Sequence, residues 1–159
     1  MPNASKQTPF RSVSVSLTRA DIIEFAQQFD PQPYHLDSEA AEQSIFGALC
    51  ASGWQVAALT TRLLEDALVD EGLDVLYTNE VSSLRWKKPT FVDDQLALNI
   101  SLQATDTTSA PIGHYHQAIE VNVVNQNQEP VAEMATVVLV RGDVAAPSTA
   151  RVASEGASS

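Results

Sequence analysis

The stretch from Ser52 to Leu68, SGWQVAALTTRLLEDAL, limits what this chain can fold into more than any other. Trp54, Val56, Leu59, Leu63, Leu64 and Ala67 spread around most of a helical circumference. A helix that apolar on nearly all sides belongs in the middle of a fold. Glu65 and Asp66 interrupt it only near the far end, which suits exposure there.

After Gly72 the pattern changes to strand. Asp74 to Trp86 carries Val75, Tyr77, Val81 and Leu84. Gln95 to Ala104 alternates Leu96, Leu98, Ile100 and Leu102 with more polar positions. That period of two predicts a half-buried strand. Gly113 to Val124 and Pro130 to Val140 complete the set, with Asn125 to Gln128 as a turn. Short turns between strands imply antiparallel neighbours.

Before the long helix, Arg11 to Leu17 alternates as a short strand. Thr18 with Asp21 forms a capping-box pattern that opens a helix, and Asp30-Pro31 closes it. Ser38 is expected to cap a further short helix. The reading is α+β: one domain over residues 11–142, with a curved antiparallel sheet wrapped around the central helix. Residues 1–10 are expected to be a flexible arm and 143–159 a disordered tail. A sheet covering one side of the helix leaves an edge and apolar surface that favour a homodimer or higher homo-oligomer.

Composition narrows the function classes. A net charge of -11 argues against a general nucleic-acid binder. Cys50 is the single cysteine, so neither an internal disulfide nor a multi-cysteine metal site is expected, and a reducing, cytoplasmic setting fits. The first ten residues lack the apolar core of a signal peptide. No run reaches the roughly 18 apolar residues of a membrane span.

Three places carry candidate chemistry. Asp30 and His35 share FDPQPYHLD with Pro31 and Pro33, which restrict the backbone and pre-place the polar groups. Histidine exchanges protons near neutrality, and a carboxylate beside it makes an acid/base pair. The same residues also suit an ordinary Pro-rich turn. Cys50-Ala-Ser-Gly-Trp54 sits where the long helix begins. Its free N–H groups, Gly53 among them, suit an oxyanion; a cap by Ser52 is the plainer reading. Arg85, Lys87 and Lys88 cluster in a chain with nine basic residues, which suits phosphate binding or a charged strand edge. His114 and His116 share a strand face without a third ligand at metal spacing, so no metal is expected.

The segment FAQQFDPQPYHLDSEAAEQSIFGALCASGWQVAAL resembles the hydratase motif of the MaoC-like dehydratases, the (R)-specific enoyl-CoA hydratase group. Asp30, His35, Asp37, Phe46 and Gly53 occupy the motif positions. LRWKKPTFVDDQLAL is similar to the family's strand, proline and Gly-Asp-x-Leu run, with Asp93 where glycine is usual. The resemblance covers about residues 11–142. It implies a hot-dog fold and hydration of enoyl-CoA thioesters, or the reverse, with no cofactor beyond the coenzyme A of the substrate. It implies Asp30 and His35 as catalytic residues and the Gly53 N–H as the donor to the thioester oxygen. Ser52, Trp54, Arg85, Lys87 and Lys88 are then expected to bind substrate, and neither nucleic acid nor a membrane is an expected partner. Three departures bear on acyl preference: Ser52 replaces a histidine common in the family, Ala58 stands where some members have serine, and Trp54 is bulky beside Gly53. A non-catalytic acyl-CoA-binding hot-dog protein and a hot-dog thioesterase are the alternatives. The thioesterase needs a carboxylate near the start of the central helix, and Glu65 and Asp66 come too late.

Overall fold

The computed structural model describes residues 7–144. The expected tail beyond Val144 and the first six residues of the arm lie outside that range. Phe10, assigned to the arm, instead begins strand β1, Phe10–Arg11, and β2 is Val15–Ser16; both pair antiparallel with β4. The predicted single strand over 11–17 is thus two short pairings. Between them Ser12 bonds Leu98 through both its N–H and its Oγ.

Helix α1 spans Arg19–Phe29. Thr18 Oγ1 accepts from the Asp21 N–H, and the Asp21 carboxylate accepts in return from the Thr18 N–H. Two helical donors are satisfied reciprocally. Asp30 ends the helix as its C-cap. The following stretch is more ordered than a loop: α2, Pro33–Leu36, is one helical turn with proline in its first turn, and His35 lies on it. Helix α3, Ser38–Glu42, is capped by Asp37, whose carboxylate accepts from the Ala40 N–H, and not by Ser38. Ser38 instead receives a bond from Arg19.

Helix α4, Gly53–Asp70, is the long central helix. Val56, Leu63, Leu64 and Leu68 are buried on its sheet-facing side, while Trp54, Ala58, Arg62 and Asp66 are exposed along the other. Burial on all sides, expected from its apolar residues, is therefore not what one chain provides. A single curved sheet reaches only one face.

The sheet consists of β3 (Asp74–Trp86), β4 (Gln95–Asp106), β5 (His114–Val124) and β6 (Pro130–Arg141), with β1 extending it, in the order β1-β4-β5-β6-β3. All pairings are antiparallel. Leu96, Leu98 and Ile100 on β4 are fully buried, each contributing roughly 1.5–3 kcal/mol. Among the described residues nothing pairs with the outer edge of strand β3, and Leu76, Tyr77 and Val81 on it are exposed. No helix among the described residues is long and apolar enough to cross a membrane.

Asp93 has φ +66°, the left-handed region that favours glycine. Its N–H bonds the Leu17 carbonyl, tying the turn before β4 to the end of the N-terminal segment. Aspartate tolerates this conformation better than β-branched residues do. Replacing Asp93 by valine is expected to lower the unfolding free energy by about 1–2 kcal/mol, whereas Asp93→Gly leaves it equal or higher. Urea denaturation of the two variants checks this.

Candidate active site

The site forms where three segments meet: the α1–α2 junction, residues 50–53 leading into α4, and residues 86–90 after β3. Their joining is largely backbone chemistry. Cys50 N–H reaches the Tyr34 carbonyl at 3.3 Å, and Ala51 N–H reaches the Thr90 carbonyl at 2.8 Å. Cys50 also bridges Phe91. The segment before α4 is thereby pinned on both sides.

That pin orients His35. Its Nδ1 lies 2.6 Å from the Cys50 carbonyl. A carbonyl only accepts, so Nδ1 carries the proton and donates it. Nε2 is left facing Asp30 Oδ2 at 3.5 Å. This gap is longer than a good direct hydrogen bond. An oxygen atom about 2.8 Å from both would fit between them and touch each. The imidazole is almost wholly buried, 6% exposed, and the Tyr34 ring packs edge-on at 4.6 Å between centroids. Tyr34 in turn packs on Phe46 at 4.9 Å.

Asp30 Oδ2 also accepts a 2.7 Å bond from Ser52 Oγ. Ser52 is the N-cap of α4, and its Oγ accepts the Trp54 N–H at 3.2 Å. Gly53 is the first helical residue, and among the described residues its N–H has no backbone acceptor. First-turn N–H groups carry partial positive charge. Beside Gly53 lies Trp86: its indole Nε1–H donates to the Gly53 carbonyl at 2.8 Å. A Cβ on residue 53 would sit 2.7 Å from Trp86 Cε2. A side chain on residue 53 would therefore have to displace the indole.

Asp30, His35, Gly53, Trp54, Lys87 and Lys88 line one cavity of about 340 Å³. Ser52 is fully buried behind Asp30, and neither it nor Arg85 is among the lining residues. Lys87 pairs with Glu133 at 2.7 Å and Lys88 with Glu129, so two of the three clustered cations bring carboxylates to the mouth. Arg85 is exposed and has no carboxylate partner among the described residues. Trp86, Tyr34 and Thr90 also line the cavity without having been singled out from sequence. A signal for Trp86 existed: the chain has two tryptophans, and they meet here edge to face, 4.9 Å apart. Burial pushes the Cys50 thiol up to about 11, so at neutral pH it remains protonated. Asp66 pairs with Arg62 on the exposed face of α4, and neither Glu65 nor Asp66 reaches the cavity. Among the described residues no group of three potential metal ligands is found.

The MaoC like domain matches residues 1–129. The chain belongs to the MaoC-like family. A MaoC-like dehydratase from Rhodospirillum rubrum is 33% identical, with a TM-score of 0.73 over 87% of this chain and 94% of that one. The (R)-hydratase from A. caviae involved in PHA biosynthesis is 23% identical, with a TM-score of 0.64 over 87% of this chain and 98% of that one; at that identity the likeness is one of fold. YdeM of Bacillus subtilis (strain 168), an uncharacterized protein, is 33% identical over 90 residues, 55% of this chain and 61% of its own length. The curved, unclosed sheet around α4 is the hot-dog fold of the MaoC-like proteins. The aligned stretch spans about three-fifths of the Bacillus protein.

Gly53→Ala is expected to push the Trp86 indole away and break its bond to the residue-53 carbonyl. The indole N–H resonance of Trp86 in a proton–nitrogen NMR spectrum should shift and exchange faster with solvent. An unmoved resonance would mean that the indole does not rest on Gly53.

Proposed function

We propose that this MaoC-like protein adds water across the 2,3 double bond of an acyl-CoA thioester, or removes it from the 3-hydroxyacyl thioester. Family membership supports hydratase or dehydratase chemistry in general. The observation that carries the finer reading is the facing of Asp30 Oδ2 and His35 Nε2 at 3.5 Å in a cavity also lined by Gly53.

The geometry suggests how protons move. Asp30 accepts from Ser52, which suits the carboxylate form, and a carboxylate can take a proton from water. His35 already uses Nδ1–H on the Cys50 carbonyl, so it can act as an acid only through a proton on Nε2. In hydration, water gives its proton to Asp30 while its oxygen bonds the β-carbon. The π electrons shift toward the thioester oxygen, where the Gly53 N–H stabilises the enolate-like charge. His35 Nε2–H then protonates the α-carbon. The pair ends with its proton moved from His35 to Asp30, and solvent exchange resets it. Dehydration runs the same steps backward. No metal or redox group enters these steps.

Hydration then needs Asp30 ionised and His35 protonated. Asp30→Asn and His35→Gln are each expected to reduce turnover by about 10²–10⁴-fold without unfolding the protein. The assay is loss of the conjugated enoyl-thioester absorbance with crotonyl-CoA and longer enoyl-CoAs. Wild-type turnover in either variant would sink the assignment. Running the same acyl groups on pantetheine measures what the nucleotide adds through Arg85, Lys87 and Lys88. An equal KM for both carriers would make these cations strand-edge charges.

We further propose that the active form is a homodimer joined along the open β3 edge, where Tyr77 and Val81 are exposed. Sedimentation of the wild type should give a dimer, and Val81→Asp should shift it toward monomer. A monomeric wild type at micromolar concentration overturns this assembly.

A further inference from the structure

We propose that Ser52 is a positioning residue for the Asp30/His35 pair, tying the carboxylate to the helix end that supplies the oxyanion donor. This rests on the hydration reading above and assigns Ser52 a role other than substrate contact. A serine hydroxyl has one proton to give and lone pairs to receive with. Ser52 uses both: it donates to Asp30 Oδ2 at 2.7 Å and accepts from the Trp54 N–H at 3.2 Å. It is fully buried, so water does not compete for either bond.

The oxygen it holds is the one that faces His35 Nε2. Asp30 sits at the end of α1, with its side chain a quarter exposed. Without an anchor that carboxylate is free to turn about its side-chain torsions. The Ser52 bond fixes one lone pair of Oδ2 and leaves the remainder for the gap shared with Nε2. Ser52 is adjacent to Gly53 and caps the same helix, so one hydroxyl sets the base relative to the proposed thioester-oxygen donor. Tolerance for misplacement in such an arrangement is small.

Ser52→Gly and Ser52→Ala separate this role from plain capping. Glycine serves as an N-cap nearly as well as serine, whereas alanine does not. Both variants lack the hydroxyl. The expected result is a kcat about 10–100-fold lower in both, with KM changed by less than about threefold. The glycine variant should lose less of its thermal midpoint than the alanine variant, because it keeps most of the cap. Wild-type kcat in a folded Ser52→Gly protein overturns the proposal, since capping alone would then explain Ser52.

A second measurement does not depend on the reaction. Thermal unfolding of Ser52→Gly, Asp30→Ala and the double variant forms a cycle. Non-additive midpoints support the link between the two side chains, and additive ones overturn it. If the wild type hydrates no enoyl thioester, the hydration reading fails, and this cycle still decides whether Ser52 holds Asp30.

Discussion

Burial of one face of α4 against the concave side of the sheet determines where everything else can lie. The leucines of α4 and the alternating apolar residues of β4 form a single core. Burying that area stabilises the domain, and it also fixes the height and direction at which the helix starts. The first turn of α4 emerges at the rim of the core, beside the ends of α1 and β3. The Gly53 N–H is left at the cavity because no further turn precedes it. The placement of the proposed oxyanion donor is thus a by-product of core packing.

The proposed Asp30/His35 proton-transfer pair depends on that same rim, yet belongs to other elements. Proline breaks α1 after Asp30, and one turn of α2 swings His35 inward. The imidazole is then steered by a main-chain carbonyl of residue 50 rather than by another side chain. This makes its tautomer a property of the backbone pin between Tyr34, Cys50 and Phe91. Such second-partner bonds decide which nitrogen faces the chemistry.

Local signals in the sequence were dependable where a single physical cause dominated. The Thr18–Asp21 capping box, the break at Asp30-Pro31 and the alternation of Leu96 to Leu102 all appear in the structure where their chemistry places them. Asp93 is similar: glycine is usual there because the backbone is left-handed, and aspartate is a tolerable substitute. What was not legible involved partners distant in sequence. Trp86 meets Gly53 across 33 residues, and Ser52 meets Asp30 across 22. Lys87 and Lys88 read as a free basic cluster because Glu133 and Glu129 come from the β5–β6 turn and β6. The cap of α3 was misplaced by one residue because aspartate and serine, adjacent at 37 and 38, are both good caps. The central helix read as buried on all sides since hydropathy cannot tell a core face from one left open by a single chain.

The two indoles have an optical consequence. Trp54 and Trp86 are the chain's only tryptophans, and both stand at the cavity, half-open to solvent and in contact with each other. Nearly all of the protein's intrinsic tryptophan emission therefore originates from the wall of this one site. A ligand entering along that wall, such as the proposed acyl chain, would strip water from the indoles and change the colour and intensity of the emitted light. The molecule thus carries a built-in, label-free reporter of its own occupancy, with no third tryptophan to dilute the signal.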